Sequence, residues 1–139
     1  MIVLDASVWL ASQFPDELQH GVSLAWRDAH LAAGEPISVP NLFLVEIGGA
    51  IVRRSQDADQ ARRNVQRIQA DPLFTVVDTD PLIDLIIDTA ITASLRGADA
   101  VYVALARRLR APLVTWDREI GRKAGHLIDV QEPALPAAT

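Results

Sequence analysis

The chain has 139 residues, the size of one compact domain with room for a buried core, which excludes a multidomain enzyme. Half of it is hydrophobic and 22% is charged, too apolar for a disordered chain. It has no cysteine, so disulfide frameworks, zinc-thiolate sites and cysteine nucleophiles are excluded and any metal must bind through oxygen or histidine. The net charge of -5 argues against a generic nucleic-acid coat.

The chain starts Met1-Ile2-Val3-Leu4-Asp5, without the basic and apolar regions of a signal peptide. An apolar strand is expected over Ile2–Leu4, a helix over 7–12 and a longer one over 16–33. A second strand, Ile37–Val39, lies between Pro36 and Pro40. The following helix, 41–54, is apolar almost all round, the mark of burial on most sides. It carries Glu46 and the pair Gly48-Gly49, which implies either a break or an unusually close neighbour. Its apolar run, Leu42 to Val52, is interrupted by Glu46 and falls short of the roughly 20 residues of a membrane span. The expectation is therefore a cytoplasmic protein that does not enter a membrane.

A helix over 57–70, a strand at Phe74–Val77 and helices over 81–94 and 98–109 come next. The chain then closes with a strand at Leu113–Thr115, a helix over 118–123 and a strand at Leu127–Asp129. Short, uniformly apolar strands separated by helices predict an α/β fold with a buried parallel sheet. One domain is expected over 1–130, followed by a flexible tail over 131–139 containing Pro133 and Pro136. Charge is segregated along the chain: 53–69 holds five arginines against two aspartates, and 107–123 six basic residues against two acids, whereas 71–99 holds six aspartates and one arginine. Solvated helix faces and phosphate-binding patches both fit this pattern.

In a parallel sheet, ligands bind outside the carboxyl ends of the strands. Asp5 ends the first strand and Asp117 follows the fourth, although either residue alone also suits a helix cap. Glu46 on a mostly buried helix needs a cation, an arginine partner or a raised pKa. Asp99 opens another largely apolar helix, where the macrodipole alone would also favour an acid. Brought together, four carboxylates cannot all stay ionised without counter-cations, and hard divalent ions such as Mg²⁺ or Mn²⁺ match carboxylate oxygens. The sequence lacks a phosphate-binding glycine loop and a nucleophile-elbow serine motif. The histidines at 20, 30 and 126 show no ligand spacing and read as surface residues. Trp9, Trp26 and Trp116 read as core or interface residues rather than base-stacking platforms.

The segments Val3-Leu4-Asp5-Ala6-Ser7, Pro40-Asn41-Leu42-Phe43-Leu44-Val45-Glu46, Ala98-Asp99-Ala100-Val101-Tyr102-Val103-Ala104-Leu105-Ala106 and Leu113-Val114-Thr115-Trp116-Asp117 occur in an order that resembles the PIN-domain ribonucleases, and among them the VapC-type toxins. The resemblance implies a three-layer α/β/α domain with a central parallel sheet and Mg²⁺- or Mn²⁺-dependent cleavage of RNA. It also implies a homodimer inhibited by a small VapB-like antitoxin. The same resemblance makes Asp5, Glu46, Asp99 and Asp117 the catalytic and metal-binding acids. Ser7 and Thr115 become supporting hydroxyls, and Glu119 a water-mediated contact. The alternatives are a PIN-like protein that binds RNA or protein without cutting, and a phosphoacceptor receiver. The receiver is disfavoured because Asp5 stands alone after the first strand and Lys123 is the sole lysine.

Overall fold

The computed structural model describes residues 1–135. Its sheet has five parallel strands in the order β3-β2-β1-β4-β5. These are β1 (Ile2–Leu4), β2 (Ile37–Pro40), β3 (Phe74–Val77), β4 (Leu113–Val114) and β5 (Val130–Gln131). Val3 is paired with Ser38 on one side and Leu113 on the other, so β1 is central, and Val3, Leu4, Val39 and Leu113 are wholly buried. The apolar character of the central strands β1 and β4 follows from helices covering both faces there.

The helices are α1 (Ala6–Gln13), α2 (His20–Ala32), α3 (Asn41–Ser55), α4 (Ala58–Ala70), α5 (Ile83–Ala93), α6 (Gly97–Leu109) and α7 (Arg118–Ala124), with a short 3₁₀ turn at Asp80–Leu82 before α5. Strand order runs one way from β1 to β3 and the other way from β1 to β5. Right-handed crossovers therefore place α1–α4 on one face and α5–α7 on the other. In agreement, α1 packs on α2 and α3, α3 on α4, and α6 across β1, β2 and β4. The switch in direction falls between β1 and β4, so the carboxyl edge there is the place for a site. Among the described residues, no helix is long and apolar enough to cross a membrane.

Three expectations need correction. The last strand is not 127–129: the amides of Leu127 and Ile128 both donate to the Ala124 carbonyl, closing a turn, and pairing with β4 begins at Val130. Helix α2 starts at His20 rather than 16. Residues 14–20 form successive turns, with the Glu17 amide donating to the Phe14 carbonyl and the His20 amide to that of Glu17. Third, two of the histidines are half-buried rather than on the surface: His20, whose Nδ1 lies 2.8 Å from the Ala11 carbonyl oxygen, and His30, stacked on Trp26 with ring centroids 4.8 Å apart. The proposed tail, 131–139, lies partly outside the described residues; within them Gln131 belongs to β5 and Pro133 is buried.

The glycine pair does not break α3, which is continuous through both residues. A β-carbon at Gly48 would lie 3.4 Å from Val65 Cγ2 of α4, and one at Gly49 would lie 3.0 Å from the Arg53 guanidinium. The close neighbour at Gly48 is thus α4, and Gly49 leaves room for Arg53 to lie back along its own helix.

Candidate active site

Asp5 is carried to the carboxyl edge by β1, where its amide donates to the Val114 carbonyl at 3.0 Å. It is the N-cap of α1 by position, yet its side chain makes no capping bond. Its Oδ2 instead accepts from Ser7 Oγ at 2.6 Å and from Thr115 Oγ1 at 2.7 Å. Each hydroxyl has one proton to give, and each gives it to Asp5. Each then accepts a backbone amide, Ser7 that of Trp116 at 3.2 Å and Thr115 that of Asp117 at 3.0 Å. The loop after β4 is therefore fastened to the end of β1 through a carboxylate that is only 9% exposed.

Asp117 caps α7, accepting the Glu119 amide at 2.9 Å. Glu46 projects from α3, which begins directly after β2, and its Oε1 accepts from Tyr102 Oη at 2.6 Å. Asp99 is half-buried in the first turn of α6. That helix precedes β4 and runs back along the sheet, so its first turn sits at the same carboxyl edge.

Burial pushes the Asp5 carboxyl above its ordinary range against the opposing hydrogen bonds of Ser7 and Thr115, and the charge of Asp117 pushes it further. Burial also raises Glu46, partly offset by the Tyr102 bond and reinforced by the charges of Asp5 and Asp99. For Asp99 burial acts first, then the charges of Asp117 and Asp5, with Arg96 and Lys123 opposing. Tyr102 is driven up by burial and then by Asp5 and Glu46, so it stays protonated and donates. The four acids occupy one electrostatic neighbourhood, and none takes part in an ion pair among the described residues. Protonation or a hard cation relieves such a set.

The described side chains hold no group of three His, Asp or Glu gathered closely enough to enclose a metal ion unaided. The donors are all hard oxygens and none is in an ion pair among the described residues, which suits Mg²⁺, an ion that keeps several of its waters and takes one or two carboxylates directly. Glu119 faces solvent and pairs with Arg122 and, at 3.5 Å, with Lys123, so its amide rather than its carboxylate reaches Asp117.

Residues 2–126 match the family model of the PIN domain. The chain belongs to the PIN-domain family. Ribonuclease VapC31 of Mycobacterium tuberculosis is 30% identical to it over 133 residues, spanning 89% of this chain and 94% of that protein. Among solved structures, FitAcB from Neisseria gonorrhoeae is similar with a TM-score of 0.74 at 20% identity, covering 96% of this chain and 98% of that one. VapC20 of M. tuberculosis, described as a sarcin-ricin loop cleaving toxin, is similar with a TM-score of 0.71 at 19% identity, covering 94% and 99%. At these identities the structural likeness establishes the three-layer fold.

Two contributors to this PIN-domain site escaped the sequence reading as functional residues. Tyr102 lies three residues after Asp99, hence on the same helical face, and that spacing was the available signal. Ser23 is wholly buried in α2 and accepts the Trp116 indole N–H at 2.7 Å, a long-range bond with no local signature.

Proposed function

We propose that this PIN domain is a Mg²⁺- or Mn²⁺-dependent endoribonuclease that hydrolyses RNA phosphodiester bonds, and that it is the toxin of a toxin–antitoxin pair. The observation that supports the reading is that Asp5, Glu46, Asp99 and Asp117 stand at the carboxyl edge of a PIN domain, that charge repulsion links them, and that none is in an ion pair among the described residues. Likeness to a protein named as a ribonuclease supports RNA as the substrate class. When bound, a divalent cation supplies activation of water and neutralisation of charge on phosphate oxygens.

The chain's own residues hold the acids in place. Ser7 and Thr115 fix the Asp5 carboxylate, and Tyr102 holds Glu46 by Oε1. Asp99 and Asp117 approach from α6 and from the cap of α7. Preorganised oxygens of this kind need no rearrangement as negative charge develops on the phosphate. On this reading the partners are the RNA substrate, a second copy in a homodimer and a small VapB-like antitoxin, in the cytoplasm.

The test is cleavage of a mixed RNA pool with Mg²⁺, Mn²⁺ or EDTA, followed by analysis of the new ends. Metal-dependent products with 5′-phosphate and 3′-hydroxyl ends are expected, and Asp5→Ala and Asp99→Asn abolish them while the proteins stay folded. Products ending in 2′,3′-cyclic phosphate would overturn the mechanism. For the toxin assignment, induced expression in a bacterial host arrests growth and the Asp99→Asn form does not; equal growth arrest by both would remove it.

A further inference from the structure

A pocket of about 240 Å³ opens beside the acidic centre, between the end of α1, the turn leading into α2, α3 and the loop after β4. It shares residues with that centre or adjoins it at three points. Ser7, on its wall, is the hydroxyl bonded to Asp5. Ala50, also on the wall, is one helical turn beyond Glu46, and Trp116 immediately precedes Asp117. Unlike Trp9 and Trp26, which are buried, Trp116 is half-exposed. Its indole is held by the 2.7 Å bond to buried Ser23, so the ring forms a fixed wall.

A second flat wall is the Arg54 guanidinium, which lies over the Phe14 ring 3.9 Å from its centre. That cation is already matched: Arg54 bonds both carboxylate oxygens of Asp16 at 2.8 Å and pairs with Glu17. The pocket therefore carries no surplus positive charge to attract a phosphate. Its spare hydrogen-bonding group is the Gln19 amide, since Gln19 is the N-cap of α2 but makes no side-chain capping bond. An amide offers both a donor and an acceptor in one plane. Flat walls with a donor–acceptor edge and no surplus cation fit a flat, hydrogen-bonding ligand that brings no negative charge into the pocket, the chemistry of an unstacked nucleobase in single-stranded RNA.

We propose that this pocket receives the base of a nucleotide flanking the scissile phosphate, with Trp116 and the Arg54 guanidinium supplying contact to its faces and Gln19 reading its edge. The assignment rests on the ribonuclease reading and adds to it a determinant of where the RNA is cut.

Two measurements on the full-length protein separate the two ideas. In the first, a random-sequence RNA is cleaved by wild type and Gln19→Ala, and the bases around each cut are counted. Wild type shows a preference at one position adjoining the cut. Gln19→Ala loses the preference at that position alone, with cleavage of the preferred sequence falling by about tenfold. In the second, short oligoribonucleotides are titrated into the Asp99→Asn protein while tryptophan fluorescence is followed. Stacking quenches the emission, and Asp99→Asn/Trp116→Phe loses the quenching while keeping RNA affinity to within about tenfold. Unchanged base preference in Gln19→Ala, or RNA binding without Trp116 quenching, would overturn the pocket while leaving metal-dependent cleavage intact. Quenching by RNA in a protein that cuts no RNA with any metal would instead overturn the nuclease and, with it, the pocket's place beside a cut, leaving a base-binding pocket alone. Quenching produced only by a protein partner would assign the pocket to that partner and overturn the base assignment.

Discussion

The most informative single residues are those holding charge against its preference. Asp99 has its pKa raised above 3.8 in the folded protein, so the native state holds its proton to higher pH than the unfolded chain does. The stability this contributes is fully present below the unfolded value and is lost as pH rises through the raised native value. Replacing Asp99 by Asn removes both the titration and one repelling charge. In EDTA, Asp99→Asn is therefore expected to unfold at a higher temperature than wild type near neutral pH, with the gap closing at about pH 4; a gap independent of pH would refute the coupling. Tyr102→Phe tests the support of Glu46. Loss of its 2.6 Å bond leaves a half-buried carboxylate without its donor and should cost about 1–2 kcal/mol in denaturant unfolding. Cleavage falls with it, since Glu46 is then free to leave its position.

At the scale of elements, α3 shows how a local oddity becomes intelligible only in three dimensions. Gly48-Gly49 gave two options in the sequence, a broken helix or a close neighbour, and the neighbour is Val65 of α4. A β-carbon at Gly48 would make ordinary contact there, so Gly48→Ala is expected to raise stability by up to about 1 kcal/mol, the helix-propensity difference, measured by thermal unfolding. A fall in stability would mean that α3 and α4 are packed more tightly than this geometry indicates. Strands β1 to β4 were legible as short apolar runs bounded by proline or an acid. Strand β5 was not, because Leu127 and Ile128 have strand-like side chains but spend their amides on the Ala124 carbonyl. The start of α2 was obscured in the same way, since Asp16 and Glu17 look like helix-opening acids and are instead partners of Arg54 from α3. The four candidate acids were legible because each stands at an element boundary or on an apolar helix. The Tyr102 bond that holds Glu46 and the Ser23 bond that holds the Trp116 indole join residues 56 and 93 apart in sequence, beyond any local pattern.

At the scale of the whole molecule, an acidic chain is proposed to act on a polyanion, and the distribution of charge resolves the conflict. Arg96 and Lys123 act on Asp99, and Arg96 has no ion-pair partner among the described residues. It can meet a phosphate beside the acidic centre without giving up a carboxylate. Arg96→Ala should weaken single-stranded RNA binding at low salt and make the salt dependence shallower by about 0.7 in the log–log slope, the share of one phosphate contact. An unchanged slope would remove Arg96 from the RNA path. The measurement that bears most directly on the site is thermal unfolding of wild type and Asp99→Asn in EDTA, Mg²⁺ and Mn²⁺, because it needs no knowledge of the target RNA. Metal at about 100 times its dissociation constant adds roughly 2.7 kcal/mol to the folded state, a rise of several degrees in wild type that Asp99→Asn loses. No rise in wild type, or an equal rise in both proteins, would contradict a metal site built on these four acids.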